Sequence, residues 1–230
     1  ENEKIKFLKS KLNSSKNIIN KFKFKNKENK EVWDTFNVLS QEPAECLGAY
    51  VISMTSSASD ILSVSFLQKE AKIKNKLRVV PLFETLEDLI NAKPIMENLF
   101  SQKWYRKLTN HKQEVMIGYS DSSKDAGKMC ASWHQYKAQE EIVKLGKKYK
   151  IEIVFFHGRG GSAGRGGGPI LPTLRSLPPN SVNGKIRITD QGEVIQQKYG
   201  YEPLAKYNLC SYIGDIVEAS LNPTANKKNT

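Results

Sequence analysis

"IEIVFFHGRGGSAGRGGGP", residues 151–169, joins an apolar, β-prone run to a loop dominated by glycine. The run reads as a strongly apolar strand, so the loop that follows it belongs to a folded site. Between residues 155 and 169, seven of fifteen residues are glycine, and Arg159 and Arg165 stand among them. Glycine loses more conformational freedom on folding than any other residue, so such a run is costly to order. In return, its backbone N–H groups can approach a ligand closely and form an anion-binding concavity. Arginine adds a fixed fork of donors matched to phosphate or carboxylate. The stretch therefore reads as a strand delivering an anion cradle.

Three look-alikes fit less well. G-x-x-x-x-G-K-[ST], the nucleotide-binding P-loop, is nowhere present. Gly158, Gly160 and Ala163 match G-x-G-x-x-A, but Arg159 would sit inside the turn that hugs a pyrophosphate. Pro169 and Pro172 also interrupt the helix that should follow. The two R-G-G triplets resemble disordered RNA-binding segments, which repeat the triplet many times without flanking strands.

Working outward, the same plan recurs. "AYVISM" (49–54), "RVVPLFE" (78–84) and "EVMIGYS" (114–120) read as further strands, and "KIRITD" (185–190) as a fifth. Helical patterns lie between them. "SASDILSVSFLQKEA" has Ser59 or Asp60 as N-cap, with Ile61, Val64, Gln68 and Ala71 at helical spacing. "TLEDLINA" offers a capping box from Thr85 to Asp88, with Leu86, Leu89 and Ile90 on one face. "SSKDAGKMCASWHQYKAQEEIVKLGKKYK" predicts one long helix, with Met129, Trp133 and Tyr136 at i, i+4, i+7 and lysines in its last turn. Strands every thirty-odd residues with helices between them mean βα units on a parallel sheet, either doubly wound or a (β/α) barrel.

Both architectures place chemistry at the carboxyl ends of the strands. Glu84 ends the second run, Asp121 follows the third, and His157 ends the fourth. Singly, Glu84 and Asp121 read equally well as first-turn helix acids. Together they deliver two carboxylates and an imidazole to the rim that bears the Arg/Gly loop. Two carboxylates suit Mg²⁺ or Mn²⁺, which take few protein oxygens and keep positions for water and substrate. A hard cation beside an anion cradle suggests phosphoryl or enolate chemistry.

The 230 residues carry a net charge of +12, but residues 1–31 hold ten lysines against four glutamates, and Lys227 and Lys228 lie in the tail. The excess reads as solvated flanks; a non-catalytic basic module binding nucleic acid is the alternative. No apolar run approaches a membrane span, and the N-terminus lacks the apolar stretch of a signal peptide. Cys46, Cys130 and Cys210 are too dispersed for zinc or a disulfide framework; they read as buried small apolar residues in a reducing cytoplasm. The isolated histidines, His111, His134 and His157, argue against a histidine metal cluster.

Quoted in order, "EVWDTFNVLSQEP", "AYVISMTSSASDILSVSFLQKEA", "VVPLFETLEDL", "WYRKLTNHKQEVMIGYSDSSKDAG", "ASWHQYKAQEEIVK", "FHGRGGSAGRGGGP", "RITDQGEVIQQKYG" and "EASLNP" resemble the phosphoenolpyruvate carboxylases. The resemblance covers residues 31–223. It implies a partial (β/α)8 TIM-type barrel with additional helices, residues 1–30 forming a basic, partly helical flank and 224–230 a polar tail. It further implies the carboxylation of phosphoenolpyruvate with bicarbonate to oxaloacetate and phosphate, through carboxyphosphate and a metal-stabilised enolate. The family needs Mg²⁺ or Mn²⁺ and uses neither biotin nor nucleotide.

Carried over residue by residue, Glu84 and Asp121 match the metal carboxylates. Arg159 and Arg165, with Gly160, Gly161 and Gly166, match the phosphate-handling loop, and His157 and Lys124 match catalytic neighbours. Arg165 also matches a position used by a dicarboxylate feedback inhibitor. A cytoplasmic homotetramer without membrane or nucleic-acid partners is implied. The sequence departs from the pattern after the loop, where "ILPTLRSLPP" lacks the family's histidine and has Leu177 in place of a glutamine. An earlier family signature with an essential histidine has no match, so this stretch alone is expected to be an incomplete, inactive middle portion with about five strands. Its unpaired strand edges should favour aggregation.

Overall fold

A computed structural model of the protein describes residues 1–19, 23–158, 170–190 and 192–223. The chain divides into two compact units, residues 1–81 and 82–230. All five expected strands form: β1 (Ala49–Ile52), β2 (Arg78–Phe83), β3 (Lys112–Gly118), β4 (Glu152–Gly158) and β5 (Arg187–Ile188). They are parallel, and each neighbours the next in chain order. The described strands show no reversal of order of the kind that defines a doubly wound sheet.

In the first unit, helices α1 (Asn2–Asn13) and α2 (Lys27–Leu39) precede β1, and α3 (Ala58–Glu70) follows it. Phe36, Val64 and Ile73 form a buried cluster, joined by Trp33, Leu39, Tyr50 and Val79. The Phe36 and Tyr50 rings stack with centroids 5.0 Å apart. The N-cap of α3 is Ser57, two or three residues earlier than the spacing suggested. Asp60 is the reason: it sits at the third helical position and accepts the Ser57 backbone N–H at 2.8 Å. Ile61, Val64 and Gln68 are buried as expected.

The lysine-rich opening is built into this unit. Ile5 and Leu8 are buried, and α1 packs on α3. Glu1 accepts hydrogen bonds from the Ser59 N–H at 2.8 Å and hydroxyl at 2.9 Å. At the other end of α3, Glu70 Oε2 accepts the N–H groups of Ile18 and Ile19 at 2.6 and 3.0 Å. Lys69 donates to the Lys11 carbonyl at 2.7 Å.

In the second unit, α4 (Leu86–Ser101) and α5 (Lys103–Leu108) lie between β2 and β3. Thr85 and Asp88 form the expected capping box, and Leu89 is buried, but Ile90 is 55% exposed. The long helix expected after β3 is two helices, α6 (Ser120–Ala126) and α7 (Lys128–Tyr149), broken at Gly127 with φ +76°. That left-handed φ is available to glycine at little cost and cannot continue a right-handed helix.

The buried face of α7 is Ala131, Gln135, Ala138, Gln139 and Ile142. It packs against α4, whose Ala92, Met96 and Leu99 are buried. The Met129–Trp133–Tyr136 series therefore marks the outer side: Met129 is 86% and Trp133 60% exposed. Small and amide side chains allow α7 to approach α4 closely, whereas large aromatic ones would hold it off.

Beyond β4, α8 (Ile170–Arg175), β5, α9 (Gly192–Tyr199) and α10 (Glu202–Leu221) complete the described chain. Leu177, the departure noted after the loop, is buried with Leu174 and Val182. The expectation for the cysteines is corrected: Cys46 and Cys210 are exposed and Cys130 is half-buried, all three as free thiols. Cys46 ends a short 3-10 turn, and Cys210 lies on the outward side of α10, which has no fully buried residue. Among the described residues, no helix is long and apolar enough to cross a membrane.

Candidate active site

Three strand ends of the second unit carry the candidate residues. Ile117 pairs in register with Phe83 on one side and with His157 on the other, and Gly118 pairs with Gly158. Glu84 directly follows Phe83 and is half-buried. It lies hard against Gly118: a Cβ built on that glycine would stand 2.7 Å from Glu84 Cβ and 2.8 Å from Glu84 Cα. Only a residue without a side chain permits this approach. Gly118 thus brings the backbone of Glu84 to the end of β3, three residues before Asp121.

The turn bearing Glu84 is fixed by two other carboxylates. Asp88 accepts the backbone N–H groups of Glu84 at 3.2 Å and Thr85 at 3.0 Å. Asp125, on α6, accepts the N–H of Leu86 at 2.9 Å. Three consecutive N–H groups at the start of α4 are thereby satisfied, with negative charge at the positive end of the helix dipole. These bonds assign Asp88 and Asp125 to holding the backbone.

Asp121 stands in the first turn of α6 with an exposed side chain. Its carboxylate meets the Lys124 ammonium at 3.4 Å, one helical turn on. Behind it, Ser122 is fully buried and donates to the Gly118 carbonyl at 2.9 Å. Gln135 of α7 donates to the same carbonyl at 3.3 Å and to the Ser122 hydroxyl at 2.7 Å. The helix carrying Asp121 is therefore tied to the end of β3 by a buried polar network.

His157 is 1% exposed. Its Nδ1 lies 2.8 Å from the Tyr119 hydroxyl, and its carbonyl accepts the Thr189 N–H at 3.1 Å. The imidazole is thus inside the layer of strand ends, whereas Asp121 and Lys124 stand outside it. The structure brings Glu84, Asp121 and His157 to neighbouring strand ends, as expected, with Lys124 in the last turn of α6. Arg159, Arg165, Gly160, Gly161 and Gly166 lie outside the described residues.

The chemistry of the two carboxylates suits a hard divalent cation that draws its remaining ligands from water and substrate. Among the described residues, no group of three or more His, Cys, Asp or Glu side chains gathers into a fuller metal cage. Sequence reading missed Tyr119, Ser122, Gln135, Asp125 and the role of Gly118. For all of these but Gln135 the signal was the unbroken "GYSDSSKDAG" itself, in which six polar or charged side chains follow a strand.

A profile of the phosphoenolpyruvate carboxylase family matches residues 1–230. A phosphoenolpyruvate carboxylase of Flaveria pringlei is 52% identical over 199 residues, 86% of this chain and 21% of the relative. One from Marinomonas sp. (strain MWYL1) is 50% identical over 217 residues, 94% of this chain and 25% of the relative. One from Acinetobacter baylyi is 53% identical over 194 residues, 84% of this chain and 22% of the relative. The chain thus spans between a fifth and a quarter of the length of these relatives. The nucleic-acid-binding alternative draws no support from these matches. On the strength of a match along its whole length and identity near one residue in two, the chain belongs to the phosphoenolpyruvate carboxylase family.

Proposed function

We propose that this chain supplies the metal-binding rim and anion loop of an enzyme that converts phosphoenolpyruvate and bicarbonate to oxaloacetate and phosphate. The observation that carries the reading is the clamping of the Glu84 turn to the end of β3. It sits beside the exit of β4, in a chain half identical to named phosphoenolpyruvate carboxylases. The sequential parallel strands are read as a sector of a (β/α)8 barrel, whose active site gathers at the carboxyl ends of the strands. Residues 31–223 carry that carboxylase-like part. Residues 1–30 are a basic, partly helical flank, and residues 224–230 are a polar tail.

A divalent cation, Mg²⁺ or Mn²⁺, held by Glu84 and Asp121 would contribute fixed positive charge beside the reacting oxygens. Arg159 and Arg165, with the N–H groups of Gly160, Gly161 and Gly166, bind and orient the phosphate. An oxygen of bicarbonate attacks phosphorus and the bond from phosphorus to the enol oxygen breaks, giving carboxyphosphate and the pyruvate enolate. Carboxyphosphate releases CO₂ and leaves phosphate, and the enolate carbon attacks CO₂ to form oxaloacetate. Lys124 and His157 add donors around the anions. Exclusion of water from the reacting anions keeps the enolate from being protonated before carboxylation. No biotin or nucleotide enters this sequence. The reading extends to a cytoplasmic homotetramer and to dicarboxylate feedback inhibition at Arg165.

The test is a chimera in which residues 1–230 replace the matching segment of the Marinomonas relative. Arg165→Ala in that chimera should raise the ratio of phosphate released to oxaloacetate formed, because CO₂ and enolate are no longer kept together. An unchanged ratio contradicts the role given to Arg165.

A further inference from the structure

The contact between Tyr119 and His157 reaches beyond the reading above, on which its catalytic half rests. Tyr119 is the N-cap residue of α6, two positions before Asp121. His157 lies two positions before Arg159 in the sequence. Their side chains meet at 2.8 Å between the phenol oxygen and Nδ1. The backbone of His157 is fixed on both sides, by register with Ile117 and by the Thr189 N–H. The ring itself is packed away from solvent, which leaves it little freedom to turn, and the partner at Nδ1 bears on which nitrogen carries the proton.

We infer that Tyr119 is a positioning residue whose O–H donates to Nδ1 of His157, fixing the ring proton on Nε2, so that His157 acts at the ends of β3 and β4 as a neutral hydrogen-bond donor and not as a base.

The direction of the bond follows from the two groups. A phenol is the stronger acid of the two donors, and an imidazole nitrogen is a better acceptor than a phenol oxygen. A neutral imidazole carries one ring proton, on the nitrogen that does not accept. With Nδ1 accepting, that proton is on Nε2. A neutral N–H donor suits phosphate oxygens, and it leaves general-base work to other groups.

Two experiments test the inference separately. The first needs no carboxylation: the Marinomonas chimera is labelled with ¹⁵N in its histidines, and the His157 signals are identified by their loss in His157→Gln. The expected spectrum at neutral pH shows protonated Nε2 and bare Nδ1, with the single tautomer giving way to a mixture in Tyr119→Phe. A protonated Nδ1, or an imidazolium, overturns the inference whatever the enzyme does.

The second uses the Marinomonas chimera. Tyr119→Phe should raise KM for phosphoenolpyruvate about three- to tenfold, with a smaller change in kcat, as expected for one weakened hydrogen bond. His157→Gln, whose amide nitrogen can take the place of Nε2, should retain more activity than His157→Asn. If Gln and Asn are equally inactive, or if kcat alone falls, His157 is not a donor held by Tyr119.

Discussion

Gly118 and Glu84 are in backbone contact: the missing Cβ of Gly118 would fall 2.7 Å from Cβ of Glu84 and 2.8 Å from its Cα. Replacing a strand glycine by alanine ordinarily stabilises by up to about 1 kcal/mol through lower chain entropy. Here the added methyl has backbone on its other side, and overpacking of that kind costs about 1–3 kcal/mol. Gly118→Ala should therefore lower the melting temperature and push the Glu84 turn away from β3. In the family-length chimera it should also weaken activation by Mg²⁺. A melting temperature equal to or above that of the parent contradicts this packing.

The start of α4 should respond in graded fashion. Asp88 takes two backbone N–H groups and Asp125 takes one. Removing a capping carboxylate costs about 1 kcal/mol. Urea denaturation should rank Asp88→Ala as more destabilising than Asp125→Ala. Asp125→Ala should nonetheless affect Mg²⁺ dependence in the chimera, because it loosens the residue next but one to Glu84. Equal, negligible losses in both variants would show that these bonds do not hold the turn.

Glu70 should make the protein acid-sensitive. Its burial raises the carboxyl pKa, but the N–H groups of Ile19 and Ile18, together with Lys69, outweigh that and hold it below the ordinary carboxylate value. A folded pKa below the unfolded one means that the stabilisation is complete at neutral pH and is lost as pH falls through the folded value. Glu70→Gln should cost about 1–3 kcal/mol at neutral pH, the scale of hydrogen bonds to a charged group. It should also flatten the loss of stability between neutral pH and the acid range. An unchanged acid limb would move the sensitivity elsewhere.

Much of this architecture was legible from pattern alone. Four apolar runs became parallel strands because continuous apolarity has few other uses at that length, and the alternating "KIRITD" supplied the fifth. Thr85 and Asp88 capped α4 because their chemistry is local. What escaped depended on contacts across the chain. Met129, Trp133 and Tyr136 keep helical spacing, yet Met129 and Trp133 are exposed, because the buried face of α7, which packs on α4, holds Ala131, Ala138 and Ile142. Gly127 was hidden inside a good helical pattern, and only its positive φ reveals the break. Glu84, Asp121 and His157 could be assigned to strand ends by topology. That Gly118 seats Glu84, that Ser122 and Gln135 tie down α6, and that Tyr119 holds His157 are non-local facts, which spacing does not encode.

The most direct test of the central claim is oxaloacetate formation from phosphoenolpyruvate, bicarbonate and Mg²⁺ by the Marinomonas chimera carrying residues 1–230, measured beside its Asp121→Ala variant. Oxaloacetate production that collapses in the variant, in a protein that stays folded, is the predicted result. A folded chimera without activity, or one whose activity survives Asp121→Ala, would contradict the assignment of this rim as the metal site of a phosphoenolpyruvate carboxylase.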